Sequence, residues 1–122
     1  MILLDTSVAI PIRDNEPAVV ERLRQSRQDP AISIITQIEL YGGAYGGKPD
    51  PVRRELLGLF LQTVDILPLT EQEAVVYAAI VDAGGFSRRK ILDRLIASTA
   101  LAYALPLATL NPQDFADVVG LE

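Results

Sequence analysis

The stretch Met1-Ile2-Leu3-Leu4-Asp5-Thr6-Ser7 decides the fold. An apolar run stops abruptly on a carboxylate and two hydroxyls. A short continuous apolar run is the pattern of a strand buried on both faces. Asp5 then stands where that strand leaves the core. Burying an unpaired carboxylate is costly, so Asp5 needs company. A helix cap would supply it, because Asp, Thr and Ser all suit a helix start. A metal or substrate site at the carboxyl edge of a parallel sheet would supply it too. On these residues alone the cap is the more economical reading. The site reading needs further carboxylates sent to the same edge.

Outward from this stretch, apolar strands alternate with helical patterns. Asp14-Asn15-Glu16-Pro17 reads as a turn into a helix whose apolar face is Val19, Val20 and Leu23. Asp29-Pro30 breaks it, and Ala31–Ile35 is a second strand. Thr36-Gln37-Ile38-Glu39 then has the spacing of a capping box, as does Thr70-Glu71-Gln72-Glu73. The pattern alone therefore explains Glu39 without any site. Asp50-Pro51 opens a helix with Val52, Leu56, Leu59 and Phe60 as its expected buried stripe. Val64–Leu67 is a third strand, and the helix from Thr70 is expected to bury Ala74, Val75, Ala78 and Val81. Asp93–Ala102 is apolar almost all round and should be largely buried. Asp93, at its start, has a bland role available in the helix dipole. Leu105–Thr109 is a short fourth strand, Asn111–Phe115 a turn, and Ala116–Glu122 a candidate edge strand.

Composition narrows the chemistry. The 122 residues suffice for one domain with a real core, expected to span 1–122. Neither cysteine nor histidine occurs. Disulfides, thiolate nucleophiles, zinc–sulfur sites, Ser-His-Asp catalysis and ribonuclease chemistry based on paired histidines are all excluded. Hydrolysis by this chain must rest on carboxylates and hard cations. No apolar run approaches the roughly 18–20 residues of a membrane span. The N-terminus lacks the basic region and cleavage site of a signal peptide. The expected location is the cytoplasm, with no membrane partner. A net charge of −5 argues against broad nucleic-acid affinity, though a local basic patch can still hold RNA. Gly42–Lys48 has the Gly and Lys spacing of a phosphate loop, but Pro49 stands where that motif needs Ser or Thr. No nucleotide cofactor is expected.

Alternating strands and helices imply an α/β protein, here a three-layer α/β/α sandwich with a small, mainly parallel sheet of four or five strands. Ligands gather at the carboxyl ends of such strands. Asp5, Glu39, and both Asn111 and Asp114 lie just past a strand, and Asp93 can reach the same edge from its helix. Carboxylates so gathered repel one another, and a divalent ion relieves the repulsion. All-oxygen ligation suits Mg2+ or Mn2+, which can activate water at a phosphodiester.

These residues carry a family resemblance. Ile-Leu-Leu-Asp-Thr-Ser at the start, Ile-Thr-Gln-Ile-Glu-Leu around Glu39, Asp-Arg-Leu-Ile-Ala-Ser-Thr-Ala from Asp93, and Leu-Ala-Thr-Leu-Asn-Pro-Gln-Asp-Phe near the end together resemble a PIN domain, in particular the short bacterial VapC toxins. The resemblance spans essentially the whole chain. It implies a magnesium-dependent endoribonuclease with Asp5, Glu39 and Asp93 as its core acids. It further implies a homodimer restrained by a VapB-like antitoxin. Asn111 departs from the pattern, since many PIN domains carry an acid there. Either Asp114 supplies the missing charge or Asn111 completes the metal site through a bound water. Thr6 and Thr109 are support residues. Arg88, Arg89, Lys90 and Arg94 are candidates for RNA phosphates, with a solvated loop as the equally economical alternative. The expected reaction is hydrolysis by metal-activated water, leaving 5′-phosphate and 3′-hydroxyl ends. A non-catalytic PIN-like module that binds RNA or protein is the alternative. Phosphotransfer at Asp5 ranks below both, because Ser7 stands where phosphohydrolases of the haloacid-dehalogenase type place a second Asp.

Overall fold

The computed structural model describes residues 1–118, 120 and 121. Four short strands form one parallel sheet: β1 (Ile2–Leu4), β2 (Pro30–Ser33), β3 (Asp65–Leu67) and β4 (Leu107–Ala108), in the order β3-β2-β1-β4. Six helices connect them: α1 (Thr6–Arg13) and α2 (Pro17–Ser26), α3 (Ile34–Tyr45) and α4 (Pro51–Leu61), then α5 (Glu71–Gly84) and α6 (Ile91–Ala102). Single 3-10 turns precede α6 (Arg88–Lys90) and follow β4 (Pro112–Phe115).

Strand alternation builds the layers. Leu3 and Leu4 are both fully buried, but on opposite faces of the sheet. Leu3 packs with Ala31, Ile80 of α5 and Ile96, Ala97 and Ala100 of α6. Leu4 packs with Val8 of α1, Ile32, Leu40 of α3 and Leu57 and Phe60 of α4. Burying one leucine is worth about 1.5–3 kcal/mol, and a one-residue slip would send each to the wrong layer. Register is therefore fixed, with Leu3 opposite Ala31 and Leu107, and Leu4 opposite Ile32 and Ala108.

The connections locate the site. From β1 the chain steps to β2 and β3 in one direction, then crosses back to lay β4 on the other side of β1. The reversal opens a crevice at the carboxyl ends of β1 and β4, where ligands bind in open parallel sheets. Asp5 and Thr109 stand at those two ends.

Several local expectations need correction. Helix α3 begins at Ile34, capped by Ser33, whose hydroxyl accepts from the Ile35 amide at 2.9 Å. Thr36 therefore lies inside the helix, and Glu39 is not the acid of a capping box. In α4 the inward residues are Leu57 and Phe60, while Val52 and Leu59 face solvent. In α5 they are Glu73 and Ile80, while Ala74, Val75 and Ala78 are exposed. Both helices carry apolar residues on more than one side, so periodicity did not single out the packed face. No strand forms within Ala116–Glu122 among the described residues, and Val119 and Glu122 lie outside them. Elsewhere the expected caps form: Asp50 accepts from the Arg53 amide, and Thr70 and Glu73 make a complete capping box.

Candidate active site

The site is built around Asp5, only 5% exposed. Its Oδ1 caps α1, accepting from the Val8 amide at 3.1 Å, and also accepts from Ser7 Oγ at 2.6 Å. The cap reading is thus realised. Asp5 itself, rather than Thr6 or Ser7, serves the helix. Its Oδ2 accepts from Thr109 Oγ1 at 2.6 Å. A carboxylate oxygen has two lone pairs. Oδ1 has spent both, while Oδ2 keeps one free for a cation or a water.

Two hydroxyls lock Asp5 to the segment after β4. Ser7 Oγ accepts from the Leu110 amide at 3.0 Å, and Thr109 Oγ1 accepts from the Asn111 amide at 2.9 Å. Each donates to Asp5 and accepts from that backbone. Sequence reasoning named Thr109 but missed Ser7, whose signal was its place two residues after the acid.

Glu39 reaches the same edge from α3. Its Oε1 accepts from Thr6 Oγ1 at 2.6 Å. Thr6 Oγ1 is also 3.2 Å from Thr36 Oγ1, and its single proton is committed to Glu39, so Thr36 is the donor of that pair. The fully buried Thr36, also missed from sequence, orients Thr6, and Thr6 orients Glu39.

Asp93 occupies the first turn of α6, half-buried. The helix dipole there favours its charged form. Its pKa is nevertheless raised above the ordinary 3.8, first by burial and then by the charges of Asp114, Glu39, Asp5 and Asp117. The other three expected carboxylates therefore all act on Asp93. Asp114, exposed in the 3-10 turn after β4, exerts the strongest charge effect on Asp93. Asn111 is exposed at the start of that turn, with its amide tied to Thr109.

Among the described residues no three carboxylates are gathered tightly enough to form a finished ligand set. The donor chemistry still fits a hard divalent cation: every candidate atom is an oxygen. Neither Asp93 nor Asp114 accepts a side-chain hydrogen bond among the described residues. Drawing them toward an ion thus breaks no bond within the protein.

The basic candidates divide. Arg88 and Arg89 are exposed in the turn before α6. Arg94 is 3% exposed and turned inward, donating to the Gly85 carbonyl at 2.6 Å and to Asp117 Oδ2 at 3.0 Å. It is not placed to meet a phosphate. An almost wholly apolar helix buries whatever side chain falls on its packed face, and Asp117 neutralises this one. Lys90 pairs with the same carboxylate at 3.3 Å.

A family profile for the PIN domain matches residues 2–121. The chain belongs to the PIN domain family. Among its relatives in that family, the ribonuclease VapC of Rickettsia bellii is 33% identical, with 99% of this chain and 92% of that protein covered. VapBC2 from Rickettsia felis, solved bound to a DNA fragment from its promoter, superposes with a TM-score of 0.85 at 25% identity, covering 99% and 96% of the two chains. VapBC-1 from nontypeable Haemophilus influenzae superposes at 0.79 with 28% identity, covering 100% and 96%. The PIN fold that the four motifs resemble, and the small parallel sheet expected from the alternation of strands and helices, are the fold observed.

Proposed function

We propose that this chain is the endoribonuclease toxin of a VapBC-type pair, hydrolysing RNA phosphodiester bonds with Mg2+ or Mn2+. One observation carries the reading. Four carboxylates from separate segments, Asp5, Glu39, Asp93 and Asp114, lie about the topological switch point, and the charges of the other three add to burial in raising the pKa of Asp93. Charges arranged at this cost suit a cation better than they suit an empty cleft. The ribonuclease relative, 33% identical along nearly the whole chain, supports the substrate class.

The roles follow from the contacts. Asp5 offers Oδ2, and its other oxygen anchors α1, so this ligand stays fixed. Glu39 offers Oε2 while Thr6 holds Oε1. Asp93 and Asp114 would close the far side, with Asn111 orienting a water there. When bound, the divalent ion would lower the pKa of a water molecule and neutralise charge on the phosphate. Arg88 and Arg89, exposed beside the first turn of α6, would take flanking phosphates. Phosphotransfer through Asp5 is disfavoured, because its carboxylate accepts three hydrogen bonds and is nearly buried. Among the described residues no helix is long and apolar enough to cross a membrane. The same reading gives the chain a VapB-like antitoxin, a homodimeric state and a cytoplasmic location. The VapBC complexes among the structural relatives support the antitoxin.

The deciding experiment is cleavage of total RNA by wild type and Asp5→Asn, with Mg2+ or with EDTA, and with the product ends mapped. Cleavage only by wild type in Mg2+, leaving 5′-phosphate and 3′-hydroxyl ends, is expected. Cyclic 2′,3′-phosphate ends, activity in EDTA, or an unimpaired Asp5→Asn protein would overturn it.

A further inference from the structure

Two acids of the site stand on segments that no strand pairing joins. Asp93 lies in the first turn of α6, and Asp114 in the 3-10 turn after β4. Asp117, three residues beyond Asp114, takes Arg94 at 3.0 Å and Lys90 at 3.3 Å. Those two cations flank Asp93 in the chain. Arg94 also donates to the Gly85 carbonyl at the end of α5, at 2.6 Å. One buried guanidinium thus ties together the end of α5, the start of α6 and the segment carrying Asp114.

We propose that Asp117, gripped by Arg94 and Lys90, is a positioning residue that holds the Asp114 turn against the first turn of α6. It thereby sets the spacing between the carboxylates of Asp93 and Asp114. The proposal rests on the metal-dependent reading above and assigns its fourth acid a device of its own. Three features favour positioning over mere stability. An ion pair buried at the arginine and open to solvent at Asp117 adds little net stability, but it fixes geometry by direction. Among the described residues the buried Nε of Arg94 has no partner, so the guanidinium is oriented by these two contacts alone. The segment is also fixed at its other end, where Leu110 and Asn111 are tied to Ser7 and Thr109. Phe115 before Asp117 and Val118 just after it pack in the core cluster that holds Ile96, Ala97 and Ala100 of α6. That packing holds the segment on the body of α6, and Asp117 adds the directional polar contact to its first turn.

The test compares full-length wild type with Asp117→Asn, Lys90→Met and, as a destabilised control remote from the site, Glu73→Gln. Three quantities are measured: Mn2+ affinity by calorimetry, amide exchange at Asp114 (bonded to the Asn111 carbonyl at 3.0 Å), and kcat against KM on RNA. Asp117→Asn is expected to weaken Mn2+ binding about tenfold, as changes to groups that orient ligands typically do, with kcat falling more than KM. Its Asp114 amide should exchange faster while that of Asn111 does not. Lys90→Met, which keeps the Arg94 pair, should shift the same quantities by about threefold. Glu73→Gln should lower the melting temperature and leave Mn2+ affinity unchanged. Wild-type exchange and affinity in folded Asp117→Asn, or in Lys90→Met should the first not fold, overturn the proposal. A wild type that binds no Mn2+ and cleaves no RNA defeats the functional reading instead, and the Asp114 exchange rate still decides whether the latch positions the turn.

Discussion

Thr36-x-x-Glu39 and Thr70-x-x-Glu73 share one local pattern and end in different roles. At 70–73 the threonine stands outside α5 in extended backbone, and the glutamate folds back to accept from the Thr70 amide at 3.1 Å and its hydroxyl at 2.9 Å. Glu73 is 1% exposed and serves the fold. At 36–39 the helix has already begun, because Ser33 caps it three residues earlier. Thr36 then cannot cap, and Glu39 is free to take a hydroxyl from the far side of the site, Thr6. A capping box is thus specified by where the helix starts as much as by its four residues.

Mutations should break the likeness between the two glutamates in opposite directions. The largest effect belongs to Glu39→Gln, which should reduce RNA cleavage by about 10²–10⁴-fold while leaving the melting temperature close to wild type. Single-turnover kinetics beside a thermal melt would show both. Glu73→Ala should do the reverse, costing about 1–3 kcal/mol in urea unfolding through lost hydrogen bonds and cap, with kcat retained. Cleavage lost in a folded Glu73→Ala protein would contradict the division of roles. Thr6→Val comes next: it frees Glu39 without removing it, and should lower cleavage about tenfold. An unchanged rate would mean that Glu39 needs no such orientation.

The smallest effect concerns pH, and two aspartates give opposite signs. Asp93 has its pKa raised above 3.8, so its ionisation weighs on the folded state. That penalty is absent below 3.8 and fully present above the raised value. Asp93→Asn, expected to lose cleavage, should melt slightly higher than wild type at pH 7 in EDTA, and the gain should vanish on acidification. Asp117 has its pKa lowered, chiefly by its bond to Arg94, so the stability it contributes is present above 3.8 and lost as pH falls through the lowered value. A melt series from neutral to acid pH on Asp93→Asn and Asp117→Asn separates the two.

Much of the site was legible because strand ends are legible. Asp5 and Thr109 follow short apolar runs, and in a parallel sheet such ends share an edge. Glu39 and Asp93 could be named, yet each had a local explanation that only the fold could remove or confirm. Arg94 was misplaced from sequence, since a charge in an apolar helix does not announce whether it faces solvent or turns inward toward a carboxylate on another segment. Ser7 and Thr36 were missed for a related reason: a hydroxyl reads as ordinary until its partner, 103 residues away in the case of Leu110, is known. The faces of α4 and α5 were misread because both helices carry apolar residues on several sides.

By itself the sequence determined the fold class and the chemistry open to it. Apolar runs of strand length alternating with helices dictate a parallel sandwich, and the lack of histidine and cysteine leaves carboxylates to do the work. Tertiary structure alone decided how those carboxylates are held. The return of β4 beside β1 brings Thr109 to Asp5, the early start of α3 turns Glu39 toward Thr6, and the Arg94 contact carries Asp117 to α6. Each depends on groups distant in the chain whose energies exist only once the layers have packed.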